Sequence, residues 1–159
     1  MRAKNSGRDN ITEFKKKLKI CLVSAPYYKD ITDNLVCGAL NILKKIKADT
    51  EIVEVSGALE IPTAIKLMEN EFDGFIAIGC VIRGETTHYD YVCSESARAL
   101  MNISLEGFAI GYGILTVENY NQALIRSKTI ANKSLGKGKV AALACINQMR
   151  LKAKYTDGR

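Results

Sequence analysis

Apolar and polar positions alternate along this chain in two distinct rhythms. Residues 18–24 form a short, mostly apolar run ended by Ala25-Pro26, and residues 75–78 are apolar throughout. Such runs predict buried strands, the second covered on both faces. Residues 50–55 alternate polar and apolar as a strand does, and Ser56-Gly57 ends them. Residues 108–112 supply a fourth strand. Between them the period lengthens. Ile31, Leu35, Ala39, Leu43 and Ile46 fall on one side of a helix over 31–46, with Asp30 or Thr32 available as its cap. Further helices are predicted from about Glu60, with Pro62 in its first turn, after Thr87 to about Ser104, over 118–129 and over 135–152.

The order β-α-β-α-β-α-β-α-α predicts an α/β fold, a four-stranded parallel sheet with helices on both faces. A length of 159 residues suits one domain. We read residues 1–16 as a polar N-terminal arm and 17–159 as that domain. No apolar run approaches the ~20 residues that span a bilayer, and the first ten residues lack the apolar core of a signal peptide. A cytoplasmic location is expected, with no membrane partner.

The five cysteines include no C-x-x-C pair. That spacing argues against a disulfide framework and a zinc site, and most read as small core residues. Cys80 and Cys93 lie near His88 and are the candidates for a thiol nucleophile, without local support. The net charge of +6 raises the question of nucleic acid. Its clusters at 15–19, 44–47 and 133–139 have no interleaved aromatics and no accompanying binding motif, so no nucleic-acid partner is expected.

The chain has one histidine, His88, in the phrase Gly79-Cys-Val-Ile-Arg-Gly-Glu-Thr-Thr-His-Tyr-Asp90. Histidine alone has an ordinary pKa between about 5 and 8. Here it follows a loop whose backbone N–H groups open a helix, so a proton carrier stands beside an anion site. In an open parallel sheet, ligands bind beyond the carboxyl ends of the strands. Four loops are expected there: 24–29, 56–60, 80–87 and 111–116. Tyr27 and Tyr28 offer faces for stacking on a ring, or simply cover the sheet edge. Glu60 either caps a helix or accepts hydrogen bonds from a polyol. Gly84 lets the backbone turn closely, and the N–H groups of Glu85 and Thr86 can converge on phosphate. Thr87 and Asp90 resemble a capping box that holds His88 in the first turn. The Glu85 carboxylate must point away, because like charges within ~4 Å repel by about a kcal/mol or more. Arg126 and Lys133, distant in sequence, would balance the anion, and a neighbouring subunit could deliver them.

These phrases together resemble the lumazine synthase family over about residues 18–151. The most specific segment is Gly79-Cys-Val-Ile-Arg-Gly-Glu-Thr-Thr-His-Tyr-Asp-Tyr-Val92. Ser56-Gly-Ala-Leu-Glu-Ile-Pro62, Gly113-Ile-Leu-Thr116, Gln122-Ala123 and Asn132-Lys133 follow in the family's order. The resemblance implies a flavodoxin-like three-layer α-β-α sandwich. It further implies a homopentamer with active sites between subunits, and a link over 130–135 compatible with twelve pentamers closing into a shell, a free pentamer or decamer being the alternatives. The implied reaction joins 5-amino-6-(D-ribitylamino)uracil to (S)-3,4-dihydroxy-2-butanone 4-phosphate, releasing phosphate and water, without metal or organic cofactor. It is the penultimate step of riboflavin biosynthesis. By position, Tyr27 resembles the aromatic that stacks on the pyrimidine, and Ala58, Leu59 and Glu60 the ribityl-binding turn. Cys80 and the backbone of Val81 and Ile82 resemble the pyrimidine-reading edge. Glu85 and Thr86 match the phosphate loop, and His88 the proton-transfer residue. Tyr112, Lys133 and the phosphate-binding Arg126 would come from the adjacent subunit.

The chain departs from the family where Arg-Phe-Asn becomes Pro26-Tyr27-Tyr28, and where Ser56, Leu59 and Ser134 replace Pro, Phe and Gly. Two other classes compete. A non-catalytic flavin or lumazine binder could dispense with His88, Thr86 and Arg126. A flavodoxin-like electron carrier needs a Ser/Thr/Gly-rich loop after the first strand, which Ala25-Pro-Tyr-Tyr28 does not supply.

Overall fold

The computed structural model describes residues 14–128 and 136–156. Thr129, the link over 130–135 with Lys133 and Ser134, and most of the segment read as an arm lie outside the described residues. Phe14, within that segment, packs against the core. Four strands, β1 (Lys19–Ser24), β2 (Asp49–Glu54), β3 (Gly74–Ile82) and β4 (Ile110–Val117), pair in parallel in the order β2-β1-β3-β4. The helices are α1 (Lys29–Leu43), α2 (Ile61–Leu67), α3 (His88–Leu105), α4 (Tyr120–Ser127) and α5 (Lys137–Tyr155). Among the described residues, no helix is long and apolar enough to cross a membrane.

The strand alternation sorts the core into two layers. Ile20, Leu22, Ile76 and Ile78 point to one face and meet Ile31, Leu35, Ala142 and Ile146 of α1 and α5. Cys21, Val23, Phe75 and Ala77 point to the other and meet Ile61, Ile65, Leu100 and Ile103 of α2 and α3. Close approach is set by glycine at two points. A Cβ on Gly138 would collide with the Leu35 carbonyl of α1, and one on Gly111 with the Ala141 carbonyl of α5. Helix α5 can therefore lie against both α1 and β4 only without side chains there.

Several boundaries differ from the expected ones. β3 continues to Ile82 and β4 to Val117, so Cys80, Val81, Ile82 and residues 111–116 are strand and not loop. Helix α1 ends at Leu43, and a 3-10 turn, Lys44–Ile46, finishes the segment. Asp30 and Thr32 do not cap it. The N-cap is Tyr28, the Asp30 carboxylate accepts from the Tyr120 hydroxyl, and the Thr32 hydroxyl donates back to the Tyr28 and Lys29 carbonyls. Helix α4 starts later than expected because Asn119 caps it, its side chain accepting from Gln122 N–H at 2.9 Å. The chain runs from β1 outward to β2, then returns across β1 to β3. That reversal opens a crevice between the carboxyl ends of β1 and β3.

Candidate active site

A cavity of about 560 Å³ occupies that crevice. Its walls come from the ends of β1, β2 and β3 and from the start of α3. β1 stops at Ser24, and its pairing with β3 ends at Ile78; Ala25 N–H then donates to the Ile78 carbonyl at 2.9 Å. β3 runs on, paired only with β4 through Ile82. In a parallel ladder alternate residues present their N–H and C=O to opposite sides. Val81 thus keeps its backbone in the β4 ladder, while Cys80 and Ile82 turn theirs toward the side where β1 has ended. This leaves a row of backbone donors and acceptors on the cavity floor, suited to a planar, hydrogen-bonding ring.

Above the floor stands Tyr27, 77% exposed, with Tyr28 edge-on to it at a centroid distance of 5.0 Å. Such a pair holds an aromatic face in place for stacking. Opposite, a 3-10 turn, Ala58–Glu60, leads into α2. Ala58 is buried there, whereas Leu59 and Glu60 are exposed and line the cavity. Glu60 makes no side-chain cap to α2, and its carboxylate lies over Gly57, where a Cβ would come within 2.9 Å. The carboxylate is therefore not engaged as a helix cap, and Glu60 is among the residues lining the cavity.

The third wall is the loop from Arg83 to Thr87. Gly84, Thr86 and His88 line the cavity; Glu85 is exposed and stands outside the lining. The expected capping box does not form. Thr87 is the N-cap of α3 with helical backbone angles and no side-chain cap, and Asp90 pairs with Arg83 at 3.2 Å. The orientation of Arg83 explains this: its Nε reaches Glu118 at 2.9 Å while its other end draws Asp90 away from Thr87. The 18-residue α3 thus opens without a cap from the Thr87 side chain, on the cavity side where Thr86 and His88 stand. His88 N–H donates to Thr86 Oγ1 at 3.4 Å.

The thiol nucleophile is disfavoured. Burial pushes the Cys80 thiol up to about 11, with the nearby Asp30 carboxylate adding to the effect, and burial also raises Cys93. Neither is a poised thiolate. Among the described residues, no three His, Cys, Asp or Glu side chains gather as metal ligands would.

Tyr27, Ala58, Leu59, Glu60, Cys80, Val81, Ile82, Thr86 and His88 therefore meet in one cavity, joined by Tyr28, Tyr89 and Val92. The sequence pattern assigns no role to Tyr89 or Val92, although Val92 follows His88 by one helical turn. Tyr112 and Arg126 do not join them. Tyr112, 42% exposed on the outer strand β4, lines a separate groove of about 380 Å³ with Leu100, Met101 and Val140. Arg126 is exposed on α4, where it donates to the Gln122 carbonyl at 3.1 Å; among the described residues it makes no ion pair with a carboxylate.

A family profile described as 6,7-dimethyl-8-ribityllumazine synthase matches residues 17–153. A protein of that name from Bartonella tribocorum is 43% identical over 151 residues, covering 92% of this chain and 98% of the relative. One from Bartonella henselae is 45% identical, covering 91% and 95%. A third, from Novosphingobium aromaticivorans, is 44% identical, covering 87% and 99%. Similarity of this extent over both partners' lengths, together with the crevice lined by the expected residues, places the chain in the 6,7-dimethyl-8-ribityllumazine synthase family.

Proposed function

We propose that the protein makes 6,7-dimethyl-8-ribityllumazine from 5-amino-6-(D-ribitylamino)uracil and (S)-3,4-dihydroxy-2-butanone 4-phosphate. An amine of the uracil attacks the ketone and water leaves, giving an imine. Loss of the phosphate as a leaving group follows, and the ribityl-bearing nitrogen closes the second ring with loss of another water. The sum is redox-neutral, so binding, orientation and proton transfer suffice. The observation that carries the reading is a single cavity with a stacking ring (Tyr27), open strand backbone (Cys80, Ile82), a carboxylate residue in its lining (Glu60) and an anion-ready helix start beside an imidazole (Thr86, His88). Holding two substrates in register is worth several kcal/mol of barrier, and one general acid/base adds about 10²–10⁴-fold. In this reading His88 shuttles the protons of imine formation and elimination, and the backbone of Glu85 and Thr86 holds the phosphate.

Among the described residues, the lining of one chain's cavity has no Lys or Arg to balance a dianion. We assign Arg126, Tyr112 and Lys133 to the site of an adjacent subunit in a homopentamer, because Tyr112 and Arg126 are exposed and lie away from their own chain's cavity. Twelve such pentamers could close into a shell, which sedimentation distinguishes from a free pentamer or a decamer. Mixing the purified protein with both substrates should raise lumazine absorbance and release phosphate in equal amounts. Tight lumazine binding without turnover would instead mark a non-catalytic binder, and neither would end the reading.

A further inference from the structure

The loop between β3 and α3 has little of its own to hold it. Residues 83–88 are exposed, among the described residues none beyond the chain neighbours comes within 4 Å of a Cβ position on Gly84, and α3 starts without a cap from the Thr87 side chain. A segment so poorly tied would sample many conformations. Yet in the function proposed above it must hold a phosphate and an imidazole in register.

One side chain answers this. Arg83 N–H donates to the Val117 carbonyl at 3.0 Å, anchoring the loop's first residue to β4. Its guanidinium then reaches Glu118 at 2.9 Å and Asp90 at 3.2 Å, and lies 4.1 Å from the centre of the Tyr89 ring. The Arg83–Asp90 pair closes the loop on itself, spanning from its entrance to the first turn of α3. We propose that Arg83 is a positioning residue, which by gripping Asp90, Tyr89 and Glu118 together fixes the loop so that the α3 N-terminus and His88 face the cavity. Exposed ion pairs contribute little to stability, so stability is a poor account of this arrangement. A planar cation bridging two carboxylates while stacked on a ring does restrict geometry.

The same frame extends further. Glu118 N–H donates to Gln122 Oε1 at 3.0 Å, and the Gln122 carbonyl accepts from Arg126 at 3.1 Å. Arg83 thereby also steadies the helix that carries Arg126 outward.

This inference rests on the proposed reaction, and its test separates the two. Arg83→Lys keeps the charge but loses the plane and the fork, and Arg83→Gln loses both. We expect kcat/KM for the phosphate-bearing substrate to fall about tenfold to a hundredfold. Affinity for the ribitylaminouracil, thermal midpoint and oligomeric state should hold. Asp90→Asn should lower the same constant, and the double variant Arg83→Gln/Asp90→Asn should lose no more than the worse single one. Kinetics unchanged within about twofold, or additive losses, would overturn the assignment, as would ring affinity and thermal midpoint falling in parallel with turnover. Should the parent protein form no lumazine, the reaction is what fails. Titration of inorganic phosphate into parent and Arg83→Gln then decides the role of Arg83: weaker binding in the variant supports it, and equal binding refutes it.

Discussion

Replacing His88 with alanine removes the proposed proton carrier from the rim of a cavity whose floor is strand backbone, so the walls should stand. We expect turnover to fall about a hundredfold or less, the low end for one general acid/base, with assembly unchanged by sedimentation. Complete loss with normal substrate binding would assign the imidazole more than proton transfer. Gly84 offers a cleaner separation of folding from chemistry. Among the described residues, a methyl group there meets nothing within 4 Å beyond its chain neighbours, and the φ of Gly84 is not in the left-handed region. Gly84→Ala should therefore leave the melting temperature unchanged while raising KM for the phosphate-bearing substrate, because the added methyl projects from a residue that lines the cavity.

At the scale of elements, the counterpart is Gly138, where the Leu35 carbonyl already fills the place a Cβ would take. Gly138→Ala should push α5 from α1 and cost about 1–3 kcal/mol or more, seen as a lower melting temperature beside an unaffected Gly84→Ala. Which elements exist was legible in the apolar rhythm, because Ile31, Leu35, Ala39 and Leu43, or Phe75 to Ile78, must be buried to form at all. Where they end was less so. β3 and β4 outrun their apolar cores because pairing carries residues such as Thr116 and Gly79 along in the ladder, whatever their polarity. The helix caps differ from the expected ones for a related reason. Asp30 and Asp90 suit a helix start, but Tyr120 and Arg83 claim their carboxylates from remote positions, and no local pattern encodes that. The site residues near a strand end were visible as a motif, whereas Tyr89 and the reach of Arg83 emerge only in three dimensions.

At the scale of the whole molecule, the proposed interface sites make a specific demand. A ring of His88→Ala subunits and a ring of Arg126→Ala subunits should each be poor, yet subunits mixed and reassembled should regain activity. Random mixing leaves about a quarter of the interfaces with both side chains intact. No recovery in mixed rings would place both groups in one chain's site. The core makes a second demand. Burial pushes the thiols of Cys21 and Cys145 up to about 12, against an ordinary value of 9.0. Between those limits the unfolded chain loses protons that the folded chain retains, so stability is full below pH 9 and falls as pH rises. Each thiol should contribute about 1.4 kcal/mol of loss per pH unit in that window. Cys21→Ala, though weaker at neutral pH, should show a shallower alkaline decline in melting temperature.

Under the proposed function, the unequal lengths of β1 and β3 reach beyond this one ligand. The recess is a missing rung in the ladder, so its recognition groups are peptide units that every residue type carries. Drift in surrounding side chains, such as the second tyrosine at position 28, can reshape the rim and alter preference while the capacity to seat a flat heterocycle persists. Lengthening β1 by a few well-pairing residues would abolish that capacity outright, with every catalytic side chain still present.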